Sequence, residues 1–248
     1  MTVVLVHGNP ETDAIWNPLV DALGRDDVLR LSPPGFGSPL PEDFSATYLA
    51  YRDWLETQLE SLDRPVDLVG HDFGGIHVVN VVMHRPELVR SWASDVVGMF
   101  DPEYEWHDMA RVFQAPGEGE QLVEMMLSGT PEERAAQYAM VGLPEDIGKR
   151  IAAAQSPEMG RAILELYRSA RQPALEQAGL DLENAAVRPG LSVSATDDPY
   201  VGSAEMRRRA AGRAGARTEV LDGLGHWWMV QDPARGAAVL TGFWDGLD

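Results

Sequence analysis

The stretch that most constrains this chain is Val66-Asp67-Leu68-Val69-Gly70-His71-Asp72-Phe73-Gly74-Gly75. An apolar run of strand character stops at a glycine, and helical spacing resumes at once with Ile76, Val78, Val79, Val82 and Met83. Strand, tight turn, helix is the setting that holds one side chain out from a sheet edge. Asp72 holds the centre, and the glycines at 70 and 74 flank it because side chains there would collide across so sharp a turn. In isolation Asp72 would read as a helix N-cap, a position that favours aspartate. Its meaning depends on what else the chain brings to that edge.

Along the chain, strands and helices alternate. Thr2 to Val6 is a β-branched run suited to a strand buried on both faces, and it ends in His7-Gly8-Asn9-Pro10-Glu11. Trp16 to Leu23 reads as a helix, Val28 to Leu31 as a strand, Ser45 to Leu62 as a helix, and Val89 to Val97 as a strand after Pro86. The rhythm breaks from about residue 100 to 185, where helical segments follow one another: 120–127, 131–140, 145–154 and 157–171. It resumes with a strand at 190–195, a helix at 204–211, a strand at 218–221 and a closing helix at 233–244. The expected architecture is α/β, a mostly parallel sheet of about six strands flanked by helices with right-handed crossovers. A helical cap spans residues 100–185, between core segments 1–99 and 186–248.

Three polar residues fall at the carboxyl ends of separate predicted strands: Asp72, Asp198 and His226. In a parallel sheet that edge receives ligands. An ionised carboxylate, a second acid and a histidine together suit nucleophilic attack followed by base-assisted hydrolysis. Asp198 is favoured over its neighbour Asp197 by spacing from the strand end, and Asp95 is a second candidate acid. His7 and His71 read as structural neighbours of the motifs, and His77, His84 and His107 as core or surface.

The four motifs His7-Gly8-Asn9-Pro10, Gly70 to Gly75, Asp197-Asp198-Pro199 and Gly225-His226 resemble those of the α/β-hydrolase fold. Within it they are similar to the branch with an aspartate nucleophile, the epoxide hydrolases and haloalkane dehalogenases. The order nucleophile, acid, histidine is that of the superfamily. The resemblance implies Asp72 as nucleophile, His226 as base, Asp198 as its acid, and the backbone N–H groups of Asn9 and Phe73 as oxyanion donors. Relatives usually carry a hairpin ahead of the first strand, and here the sequence starts at that strand.

The leaving group divides the two activities. Val112 to Glu120 resembles the Phe-Gln-x-Pro-Gly-x-x-Glu segment of epoxide hydrolase caps, and Leu166-Tyr167-Arg168 resembles the segment that supplies a catalytic tyrosine. Without that resemblance, Tyr167 would read as filler between cap and core. The family's second tyrosine would fall about four residues before Phe113, where this chain has Met109; Tyr138 is the substitute, without a motif behind it. Asn9 matches the dehalogenase pattern, but those enzymes place tryptophan after the nucleophile, and Phe73 has no side-chain donor. Trp106, Met109, Phe113, Tyr138 and Trp227 are expected to line an apolar substrate pocket.

The reading is therefore an epoxide hydrolase-like enzyme using water and a small hydrophobic substrate. A C–halogen hydrolase is the alternative, and a non-catalytic ligand-binding module on the same fold is the alternative of a different class. No cofactor and no metal are expected. With a net charge of −19 and no basic run, nucleic acid is not an expected partner. No leader or spanning stretch is read, so a cytoplasmic protein without a membrane partner is expected, and a homodimer is allowed.

Overall fold

A computed structural model describes residues 1–247. Six parallel strands form one sheet in the order β2-β1-β3-β4-β5-β6. They are β1 (Val3–Val6), β2 (Val28–Leu31), β3 (Val66–Gly70), β4 (Val89–Ser94), β5 (Gly190–Ala195) and β6 (Ala216–Leu221). Every residue of β1 and β3 is buried, as the unbroken apolar runs require, whereas the outer strands β2 and β6 are mostly exposed or half-buried.

Side chains alternate between the faces. Val4, Val6, Val66 and Leu68 point to the side covered by α2 (Tyr48–Glu60) and α3 (Phe73–His84). Val3, Leu5, Val69 and Leu221 point to the side covered by α1 (Asn17–Leu23) and the C-terminal helix Pro233–Asp245. The register sets Val6 beside Gly70 and Gly70 beside Ser94, so the loops after β1, β3 and β4 open side by side. This lies where strand order reverses between β1 and β3, the position that collects ligands in sheets of this kind.

Six helices stand between β4 and β5: α4 (Asp108–Gln114), α5 (Glu118–Leu127), α6 (Pro131–Met140), α7 (Glu145–Ala154), α8 (Pro157–Ser169) and α9 (Ala174–Gly179). Sequence periodicity picks out α5 to α8 and misses α4 and α9, which have only seven and six residues. Helix α8 is the most amphipathic in layout, burying Met159, Ile163, Leu166 and Tyr167 at helical spacing. Arg168, next in line, donates to the Ala115 carbonyl at 3.4 Å and pairs with Glu120 at 2.8 Å, tying α8 to α5. After β5 come α10 (Ala204–Arg213), β6, the single turn α11 (Trp228–Gln231) and α12 (Pro233–Asp245).

Several boundaries differ from expectation by one to three residues, two of them for a visible local reason. Helix α2 begins at Tyr48 rather than Ser45, because the Thr47 hydroxyl accepts from the Ala50 N–H at 3.3 Å and caps it. Strand β4 ends at Ser94, and Val97–Phe100 forms a 3-10 turn instead of continuing it. Among the described residues no helix is long and apolar enough to cross a membrane.

Candidate active site

Asp72 lies between β3 and α3 with φ 51° and ψ −131°, the one non-glycine residue with positive φ among those described. Such a conformation costs on the order of 1–3 kcal/mol and persists only where the surroundings enforce it. Here a Cβ on Gly70 would strike the Gly74 backbone, and one on Gly8 would strike the Asp72 carboxylate itself. Asp95, following β4, accepts the Asp72 backbone N–H at 3.1 Å and pins the turn.

The Asp72 carboxylate faces outward but is only 15 % exposed. Asn9 N–H donates to its Oδ1 at 3.1 Å, and the Phe73 N–H bonds the same carboxylate. Burial raises its pKa to about 6, against the pull of the His226 and His71 charges. His226, in the loop after β6, brings Nε2 to 4.0 Å from Asp72 Oδ2, while its Nδ1 lies 2.9 Å from Asp198 Oδ2. Asp198 is fixed by the Tyr200 N–H on its other oxygen at 2.9 Å. Burial alone would raise the Asp198 carboxyl, but hydrogen bonding and charge from His226 leave it below its usual range. Burial and the neighbouring His71 lower His226, yet Asp198 and Asp72 outweigh them and its pKa is raised. Asp197 takes no part: its carboxylate accepts from the Thr196 hydroxyl at 3.1 Å.

A second histidine–carboxylate system lies behind the first. His71 Nδ1 is 2.5 Å from Asp95 Oδ2, and His71 Nε2 is 3.3 Å from Glu11 Oε1. Trp228 Nε1–H donates to the same Asp95 oxygen at 2.8 Å, and Trp227 Nε1–H donates to Glu11 Oε1. Burial disfavours a charged His71, but Asp95 and Glu11 together raise its pKa well above the usual value. Burial likewise opposes ionisation of Glu11, and the His71 charge overcomes it, lowering Glu11 to about 2. Asp95 therefore faces His71 and the turn, not His226, which corrects its standing as a candidate acid. Glu11, His71 and His226 each place one ligand-type atom within 4.8 Å of the others, a spacing that a metal ion could span. His71 lies between two carboxylates, hydrogen-bonded through Nδ1 to Asp95 and ion-paired through Nε2 with Glu11 at 3.3 Å, so the group has the character of an ion-paired network.

Residues from the helical segment close over Asp72. Tyr167 is buried, edge-on to Phe73 at 4.9 Å between ring centroids and stacked on Phe113 at 4.9 Å. Burial, then the Asp72 charge, raises its phenol well above the usual value. Its hydroxyl has no hydrogen-bond partner among the described residues. Trp106 stacks on Phe73 at 5.8 Å, but its indole N–H is spent on the Ala170 carbonyl at 3.3 Å. Trp227 stands edge-on to His226 at 5.2 Å.

One pocket expectation fails. Met109 is 52 % exposed, because helix α4 starts after a His107 cap and turns Ala110, Phe113 and Gln114 inward, leaving residue 109 on the outer face. Tyr138 packs in the same cluster as Trp227, where burial and the Glu11 charge raise its phenol, and its hydroxyl receives the Gln155 amide at 2.8 Å. Sequence reasoning missed Tyr104 and Tyr200. The Tyr104 phenol is raised by burial and by the Asp72 and Asp198 charges, and it donates to the Tyr200 carbonyl at 2.8 Å. The Tyr200 ring stands edge-on to His226 at 5.1 Å. The Asp198-Pro199-Tyr200 sequence offered the only cue to Tyr200, and nothing marked Tyr104.

The geometry agrees with comparisons to known proteins. A haloalkane dehalogenase of Mesorhizobium japonicum is 29% identical over 133 residues, 49% of this chain and 42% of that protein. The bifunctional epoxide hydrolase 2 of Rattus norvegicus is 29% identical over 146 residues, 52% of this chain and 26% of that protein. The chain thus spans less than half the length of these curated relatives. Among solved structures, haloalkane dehalogenase DbeA from Bradyrhizobium elkani superposes with TM-score 0.65 at 20% identity, covering 99% of this chain and 91% of that one. A thioesterase domain from the curacin biosynthetic pathway gives 0.70 at 18% identity, covering 97% and 90%. Such likeness at low identity fixes the fold and leaves the reaction open. The profile of the alpha/beta hydrolase family matches residues 3–239, and the chain belongs to that family and has its fold.

Proposed function

We propose that this enzyme opens an epoxide to a diol through an ester on Asp72. The observation that carries the reading is the Tyr167 hydroxyl, which stands in the field of the Asp72 carboxylate and has no protein partner. An epoxide oxygen, which becomes an alkoxide as its C–O bond breaks, needs a donor that can also yield a proton; a phenol does both. Asp72 attacks an epoxide carbon as its Oδ2 displaces the ring oxygen.

The second step needs a base, and the charge balance supplies one at the right moment. While Asp72 is ionised it helps keep His226 protonated. Esterification removes that charge, so the imidazole gives up its proton more readily and can take one from water. Asp198 on Nδ1 fixes the tautomer and supports the returning charge. The N–H groups of Asn9 and Phe73 would hold the oxyanion. The wall of Phe73, Trp106, Phe113 and Tyr167 suits a small hydrophobic substrate.

One observation favours displacement of halide instead. The Asn9 Nδ2 group is buried beside Asp72 without a partner, and an amide donor suits an ion that accepts no proton. Against it, Phe73 offers no donor and the Trp106 N–H is engaged elsewhere. Tyr167→Phe separates the two. Epoxide turnover should fall roughly tenfold to a thousandfold, while halide release from an alkyl halide stays within about threefold of wild type. Unchanged epoxide turnover would remove the tyrosine from the reaction.

A further inference from the structure

Strand β6 ends the sheet, with β5 as its neighbour on one side and an open edge on the other. Along a strand the backbone groups alternate between the two sides. The Leu221 carbonyl accepts the Thr196 N–H at 3.2 Å, so residues 217, 219 and 221 serve the ladder with β5. Residues 216, 218 and 220 therefore turn their N–H and C=O groups outward. Among the described residues one of these groups has a partner: the Val220 carbonyl receives the Arg235 guanidinium at 3.2 Å. The side chains of Arg217, Thr218 and Val220 are exposed, Val220 at 53 %. Free backbone groups beside an apolar side chain in water form a template for another strand.

The order of side chains selects which strand fits. Lay β6 antiparallel on a second copy of itself, about a two-fold axis at Thr218. Thr218 then stands opposite Thr218, Ala216 opposite Val220, and Arg217 opposite Glu219. The outward groups of residues 216, 218 and 220 exchange hydrogen bonds across the axis. A carbonyl accepts twice, so Arg235 keeps its bond to Val220. Residues 217 and 219 fall at the closely spaced positions, where opposite charges on facing strands attract. Within one chain they already pair, Arg217 Nε donating to Glu219 Oε1 at 2.8 Å. Across two chains the same four groups close into a ring of alternating charge. Centring the axis on Arg217 or on Glu219 would instead set like charges face to face, so the side chains select one register. Charge on the wider surface agrees. Helix α10 and β6 hold five arginines and two glutamates, in a chain with 20 basic and 39 acidic residues. Contact at this corner keeps the acidic remainder of two copies apart and weakens their repulsion.

We infer that this chain forms a homodimer by pairing β6 with β6 of a second copy, which joins two six-stranded sheets into one. Antiparallel pairing points the carboxyl ends of the two sheets in opposite directions. The two Asp72 sites therefore open on opposite sides of the dimer, and neither covers the other.

Sedimentation velocity across roughly 1–100 μM should find a species of twice the 27.2 kDa chain mass. Amide exchange at Thr218 and Val220 should slow as wild-type concentration rises. Arg217→Glu or Glu219→Arg alone places like charges opposite each other twice in the contact, and should weaken Kd roughly tenfold to a hundredfold. The double variant Arg217→Glu/Glu219→Arg restores unlike pairs in exchanged positions and should return Kd to within about threefold of wild type. Thr218→Pro removes the central outward N–H, spares the ladder with β5 and should leave monomers. Circular dichroism spectra matching wild type separate loss of the contact from loss of the fold. A wild type that stays monomeric throughout the range would overturn the dimer. A dimer whose Kd ignores the single charge reversals, or is not restored by the double one, would overturn this edge and register.

Discussion

His71 and His226 stand with ring centroids 4.5 Å apart, and each presents Nδ1 to a carboxylate, Asp95 at 2.5 Å and Asp198 at 2.9 Å. What separates them is the other nitrogen. His71 Nε2 lies 3.3 Å from Glu11, so the ring stands between two negative charges and its proton cannot easily leave. His226 Nε2 looks into the site toward Asp72 at 4.0 Å, too far for a direct hydrogen bond and near enough to serve a small reactant. One carboxylate makes a histidine a better base; two make it a fixed cation. On the proposed mechanism the same side chain serves as a proton carrier in one place and as a structural charge in the other, and the difference is set by a single residue, Glu11.

The comparison is broken most directly at the acids. Asp198→Asn removes the charge behind His226 and lets the ring take the wrong tautomer. Turnover should fall on the order of 10³- to 10⁴-fold, with the fold intact. Single-turnover kinetics would place the loss in ester hydrolysis and leave ester formation within a few fold of wild type. Turnover that survives this substitution would mean that another carboxylate orients His226. Asp95→Asn should behave in the opposite way. It strips one partner from a buried cation and weakens the bond that pins the Asp72 backbone, so stability should drop by about 3–5 kcal/mol in denaturant titration. Turnover per folded molecule should change much less than in Asp198→Asn. A catalytic collapse at unchanged stability would move Asp95 into the chemistry and erase the distinction.

How far the sequence exposes this contrast follows from where each residue sits. Asp72, Asp198 and His226 are legible because each follows a strand and lies among glycines or a proline, so local rules place them at one edge. Tyr167 is legible only through its family motif, since amphipathic spacing alone makes it another buried residue of α8. Glu11 and Asp95 escape local reading. Their roles depend on β1 and β4 both neighbouring β3, which brings residues 11, 71 and 95 together across the sheet edge. Met109 fails for a different reason: the turn at which α4 starts is decided by its cap and tertiary contacts that periodicity does not carry. Residues fixed by one strand end are readable one at a time, and residues fixed by two or more are not.

The smallest expected effect tests whether Asp72 itself stores a cost that the surrounding pairs sustain. Its folded pKa of about 6 lies above the ordinary carboxyl value because burial outweighs the attraction of His226 and His71. Below the unfolded value near 4 both states are protonated and nothing is lost. As pH rises from about 4 to 6 the unfolded chain ionises first, so folding stability falls, and above about 6 the full penalty is present. Replacing Asp72 by Asn removes the titration while keeping the shape. The variant should gain about 1–3 kcal/mol over wild type at pH 7–8, and the gain should shrink toward zero near pH 4. Activity should follow the same group with the opposite benefit: attack needs the ionised carboxylate, so ester formation in wild type should decline as pH falls through about 6. Thermal melts of both proteins across this range supply the check. A pH-independent gain would mean that the cost does not come from ionising Asp72, and no gain would mean that His226 and His71 offset the burial in full.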